Sequence, residues 1–200
     1  MNLYIRKRLP VFTFIVVVFI LGISFGAIAV KTVDYSTKQN LFNYFNDFMQ
    51  GYNEIEYDRG SLVSESIKFN LFNIFMIWAF GITVIMMPLI TLLIFFKGFV
   101  LGFTVGFLVS EYSLKGIVLA ISAVFFQNVL IIPSYIMAAV MAVSLSIRII
   151  KYYRNRAKLS FEDFLAYTLE MTMLALITLG GALLETYISP LLLKLVLRFI

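Results

Sequence analysis

Residues 88–110 read PLITLLIFFKGFVLGFTVGFLVS. Gly98, Gly102 and Gly106 recur every four residues, and Ser110 continues the row. Positions four apart lie on one face of a helix. Here that face is a groove without side chains, set among Phe, Leu and Val. In lipid such a groove lets another backbone approach closely, and van der Waals contact then holds the two helices together. Two occupants are expected for it: another helix of the same chain, or a second copy or partner protein. Lys97 stands directly before the first glycine. Pro88 suits the first position of a helix, where its missing N–H does no harm. Counted from there, Lys97 lies roughly 13 Å along the helix at 1.5 Å per residue. That is near the middle of a hydrocarbon core about 30 Å thick. A charge at such depth is costly unless it is paired, snorkels or meets water.

Hydrophobic residues make up 62% of the 200-residue chain and charged residues only 14%. With apolar runs of 20 residues and more, this composition specifies an all-α, polytopic integral membrane bundle in a single domain. The runs are continuous rather than alternating, which excludes a β-barrel. The chain has no Cys and no His. Disulfides, thiolate nucleophiles and histidine-based metal or acid–base sites are therefore unavailable, and no cofactor is expected. The net charge of +5 reflects basic residues at the ends of apolar runs. They set membrane topology and are no sign of nucleic-acid binding.

Arg6, Lys7 and Arg8 precede the apolar run Val11–Val30. That run is roughly 30 Å of helix, enough for a first span with its N-terminus in the cytoplasm. Gly22 and Gly26 give it a small-residue face of its own. Residues 31–68 carry four positive and six negative side chains, which suits an extracytoplasmic loop. Within it Leu41, Tyr44, Phe45, Phe48 and Tyr52 are spaced by three and four, the pattern of an amphipathic helix with an aromatic face. Its end and a turn are expected at Gly51 and Gly60. The acidic run Glu54–Asp58 is expected to be a solvated loop.

A second span is expected at 69–87, a tight turn at 86–89, and the glycine-bearing third span at 88–110. A short segment, 111–116, comes next. Residues 116–147 are then apolar for roughly 48 Å, too long for one untilted span. Gln127, Asn128 and Pro133 interrupt the run, so a tilted fourth span broken near Pro133 is expected. Gln127 and Asn128 fall at a depth similar to Lys97. Arg148, Lys151, Arg154, Arg156 and Lys158 place the loop 148–163 in the cytoplasm. The same charges suit contact with anionic membrane lipid. A fifth span is expected at 164–188, with Glu170 near its cytoplasmic end and Glu185 near its outer end. Glu170 is the expected partner of a snorkelling Lys97. The segment after Ser189, with Lys194 and Arg198, is expected in the outer interface. The reading is five spans, N-terminus inside and C-terminus outside.

Three stretches, KGFVLGFTVGFLV (97–109), FFQNVLIIPSYIMAA (125–139) and ETYISPLLLK (185–194), resemble the stage II sporulation protein M family. The basic N-terminus and the aromatic outer loop agree with it. The resemblance implies a membrane scaffold in the mother-cell septal and engulfing membrane. It implies two partners, stage II sporulation proteins D and P, which degrade and remodel peptidoglycan while the forespore is engulfed. It implies no hydrolase activity in the chain itself. Intramembrane catalysis is also disfavoured by spacing. Glu170 and Glu185 lie roughly 22 Å apart along a helix, too far to act as one acid–base pair. The competing expectation is a transporter or channel using Lys97, Gln127, Asn128 and the helix broken at Pro133.

Overall fold

The computed structural model describes residues 2–54, 59–155 and 160–197. Its elements are α1 (Asn2–Thr32), α2 (Tyr35–Glu54), α3 (Arg59–Ile82), a 3₁₀ turn (Val84–Met86), α4 (Met87–Ala120), a π segment (Ile121–Phe125), α5 (Phe126–Asn155) and α6 (Phe161–Leu197). Among the described residues four stretches are long and apolar enough to cross a membrane: Arg8–Thr32, Val84–Ala120, Asn128–Arg154 and Phe161–Ile188. α3 does not join them. It stops at Ile82, before the expected 87, and its apolar part, Phe69–Ile82, gives only about 21 Å of helix. It is nonetheless built into the bundle, with Ile74 and Ile77 buried in the main core.

Helix directions are set by the contacts. Gly22 and Gly26 of α1 back onto Phe95 and Phe99 of α4, so these two helices run parallel. α3 and α5 run together, with Asn70 beside Tyr135 and Gly81 beside Ser146. α6 opposes both, meeting α3 through Ser66–Glu185 and Trp78–Thr168. α5 is the central element. Ser134, Ala138, Ala139, Ala142 and Ser146 are all buried along it, and small side chains let α3 and α6 come close.

The hairpin between α4 and α5 turns on one residue. Ser113 has φ 53° and ψ −127°, a non-helical backbone inside α4. Beyond it Gly116 lies against the Leu108 carbonyl, where a Cβ would sit at 2.0 Å. Residues 114–120 therefore fold back along the end of α4. The interruption expected at Pro133 is found earlier, in the π segment. Pro133 itself lies within continuous helix.

Three boundaries also move. α5 continues to Asn155, so Arg148, Lys151 and Arg154 sit on its last turns rather than in a loop, and Arg148 pairs with Asp163 at the start of α6. α6 runs on past Ile188 to Leu197 in one helix, where a separate terminal segment was expected. α2 passes through Gly51 to Glu54, and Gly60 lies inside α3. Residues 55–58 of the acidic run, together with Arg156, Lys158 and Arg198, fall outside the described residues.

α2 starts on a carboxylate cap. Asp34 accepts hydrogen bonds from the Ser36 hydroxyl and, at 3.0 Å, from the Thr37 N–H, satisfying an orphan donor of the first turn. These bonds, the Ser36 one foremost, lower the Asp34 pKa from its ordinary 3.8 to about 2. A lowered pKa means that the cap stabilises α2 above the unfolded value and loses that effect as pH falls through the folded one. Amide-exchange protection at Tyr35–Lys38 is therefore expected to weaken between about pH 4 and pH 2. Asp34→Asn keeps the cap, and protection there is expected to lose that pH dependence. Protection in the wild type that is flat over this window would contradict the cap's role.

Candidate functional site

The glycine row sits in the seam between α1 and α4. A Cβ at Gly98 would lie 2.4 Å from the Phe19 carbonyl oxygen, and one at Gly102 would lie 2.1 Å from that of Ile23. Gly106 is looser, 3.2 Å from Ala27 Cα. Ser110 is exposed at the end of the row. Gly22 and Gly26 complete the seam from the other side, at 2.2 and 2.1 Å from α4 carbonyl oxygens. Two small-residue faces thus fill one another, and the intramolecular occupant takes the groove.

Two polar layers cross the bundle. At one end Arg8 of α1 pairs with Glu170 of α6 at 3.4 Å, beside the Arg148–Asp163 pair. These residues line a cavity of about 230 Å³ together with Ser144, whose buried hydroxyl has no partner among the described residues. The expectation that Glu170 meets Lys97 is corrected by this pairing. The parallel α1–α4 seam puts Gly98 between Phe19 and Ile23. From Arg8 to Ile23 is about 22 Å of helix, so Lys97 lies far from the Glu170 layer.

Lys97 belongs to the second layer. Its ammonium lies 4.7 Å from the Tyr135 ring centroid and 5.3 Å from that of Phe69, within reach of cation–π attraction. Glu185 attracts it through space, and no carboxylate among the described residues comes within ion-pair distance of it. Glu185 accepts a 2.6 Å hydrogen bond from Ser66 Oγ. Tyr135 Oη donates to Asn70 Oδ1 at 2.9 Å, and the Asn70 Nδ2 donates to Ser66 O at 3.0 Å. Asn70 and Tyr135 are both 3% exposed. α3, α4, α5 and α6 each contribute to this network.

The other polar candidates stand apart from it. Asn128 Nδ2 donates to Val124 O at 2.7 Å, tying the amide to the π segment just before it. The side chain of Gln127 lies outside the described residues. Pro133 is exposed on α5. Sequence reasoning missed Tyr135, Ser66 and Phe69. A tyrosine in an apolar run was the available signal, since a buried hydroxyl needs a partner.

A family model described as stage II sporulation protein M matches residues 15–190. The chain belongs to this family. It is accordingly a sporulation-related membrane protein, and the match takes in both glycine faces and most of both polar layers. No curated protein and no solved structure matches the chain. Among the described residues the structure is all-helical, with four helices long and apolar enough to cross a membrane, in agreement with the helical membrane bundle expected from composition and the apolar runs.

Proposed function

We propose that the chain is a membrane scaffold that recruits and localises peptidoglycan-degrading partners during forespore engulfment. The partners implied by the family resemblance are stage II sporulation proteins D and P, and the site of action is the mother-cell septal and engulfing membrane. The observation that carries this reading is the use made of the intramembrane polar groups. Tyr135, Asn70, Ser66 and Glu185 bond to one another across helices, and Arg8 bonds to Glu170. Such bonds fix helix positions, as a rigid platform requires. In the same reading the basic end bearing Arg8 and Arg148 faces the cytoplasm, and α3 makes a short fifth pass. α2 then lies on the outer side. There Phe42 and Phe45 hold Tyr112 at the hairpin tip, with ring centroids 5.6 and 5.7 Å apart.

The test is affinity recovery of the tagged chain from sporulating cells in mild detergent. Co-recovery of cell-wall hydrolases with single membrane anchors is expected. Their mislocalisation, seen by fluorescence when the chain is depleted, is expected to accompany it. Recovery of the chain without such proteins, and normal hydrolase localisation without the chain, would refute the reading.

A further inference from the structure

The membrane boundary cannot lie at one height around this bundle. At the basic end α3 and α5 are level, since Ser146 donates to the Gly81 carbonyl, and Arg148, two residues on, pairs with Asp163. From Gly81 the exposed stripe of α3 runs through Phe75, Phe72, Phe69, Lys68 and Glu65. Lys68 is reached after about 20 Å of helix and Glu65 after about 24 Å. A flat hydrocarbon core about 30 Å thick would bury both charges. α1 has the opposite need. Gly98 packs between Phe19 and Ile23, which sets Lys97, and Phe69 against it, level with the middle of α1. Past that level, toward the α2 end, Phe25 and Ile28 are 57% and 60% exposed. These side chains call for hydrocarbon at the height where α3 presents charge.

A cleft lies where the stripe of α3 changes from rings to charges. It has a volume of about 640 Å³ and is lined by Ser64, Glu65, Lys68, Phe69 and Phe72. Both signs of charge and a hydroxyl meet in it, which suits a hydrated polar surface and not acyl chains. Phe69 lines the cleft and also lies 5.3 Å from the Lys97 ammonium. That ammonium has no carboxylate at ion-pair distance among the described residues. A charge at such depth is tolerated where water reaches it.

We infer that phospholipid headgroups and their water come down beside α3 to the level of Phe69, so that the bilayer is thinner on this side of the bundle. The partner is the lipid surface itself. Thinning by roughly 6–10 Å makes up the apolar length that α3 lacks, and bilayers accommodate a short span in this way. The inference takes from the proposed function only that α3 makes a short fifth pass. It is independent of the recruited partners, and hydrolase recovery remains the separate test of that reading.

The chain has no Cys, so single cysteines report water directly. The experiment measures their reaction with a trimethylammonium methanethiosulfonate, in cell membranes that carry the full chain and are made permeable so that both faces meet the reagent. Thiolate is the reacting form, and a thiol in hydrocarbon stays protonated and inert. Phe69→Cys and Lys68→Cys are expected to react at least tenfold faster than Phe25→Cys. A flat boundary gives equal rates or the reverse order. Lys68→Cys leaves the Phe69 ring on Lys97, so it reads the cleft with the polar layer undisturbed. Ile85→Cys, in the 3₁₀ turn at the other end of α3 and 89% exposed, is expected to react as fast as Phe69→Cys. Tilting of the whole bundle would also lift Lys68 to the surface, but it would pull Ile85 into hydrocarbon. Equal or reversed rates for the α3 and α1 positions, or a protected Ile85→Cys, would overturn the inference. Hydrolases recovered with the chain leave the scaffold reading standing in either case.

Discussion

Gly102→Leu is expected to break the bundle rather than a partner contact. A Cβ at this position would sit 2.1 Å from the Ile23 carbonyl oxygen and 2.8 Å from Ile23 Cα. Both are backbone atoms of α1, so no rotamer change relieves the clash. The two helices must move apart along a seam that Gly22, Gly26 and Gly98 keep equally tight. Overpacking of a close-packed core costs about 1–3 kcal/mol when side chains can adjust, and more where they cannot. About 3 kcal/mol or more is therefore expected here. It would appear as a lower unfolding midpoint and faster proteolysis in detergent micelles. Gly180→Ala is the matched control. Its added methyl meets nothing closer than Leu130 Cδ1 at 3.9 Å, and alanine is the better helix former. Its midpoint is expected to be unchanged or slightly raised. A Gly102→Leu chain as stable as the wild type would mean that α1 does not lie in the α4 groove.

Much of this seam was legible in the sequence. Small residues four apart on two apolar runs predict close helix packing, and both runs are long helices. Nothing in the spacing said that the two faces belong to each other, because periodicity fixes a face and not its neighbour. The same limit explains the wrong carboxylate for Lys97. Glu170 and Glu185 are equally available on one helix until the α1–α4 register sets the height of Lys97 against Arg8. The break in the fourth apolar run was expected at its proline, the one local signal that ends helices. The wide turn at Ile121–Phe125 carries no composition signal of its own. It arises where the fold-back at Ser113 must rejoin the bundle, a tertiary constraint. The short α3 misled in the opposite direction. Its apolar residues run up to the 3₁₀ turn and past it, so hydropathy alone carries the second span to residue 87, while the helix itself ends at Ile82.

Lys97 and Glu185 are expected to be energetically coupled, and Lys97 and Glu170 are not. Lys97→Met keeps the stem on the Phe69 and Tyr135 rings and removes the charge. Glu185→Gln keeps an oxygen for Ser66 and removes the opposite charge. Either change alone leaves one ion in a low-dielectric layer without its counter-charge. Loss of one partner from a fully buried pair costs about 3–5 kcal/mol. These two groups attract without direct contact, so about 1–3 kcal/mol is expected for each single variant. In the double variant no ion is left uncompensated. Its loss is expected to fall short of the sum of the singles by about 1 kcal/mol or more. Lys97→Met and Glu170→Gln, by contrast, should add to within about 0.5 kcal/mol, as separated sites do. Glu170 answers to Arg8, in the other polar layer. Unfolding midpoints of the five variants in one detergent give both cycles. Additivity for Lys97 and Glu185, or coupling between Lys97 and Glu170, would invert the two layers. Coupling confined to the first pair makes the Lys97 layer a clamp that joins α3, α4, α5 and α6.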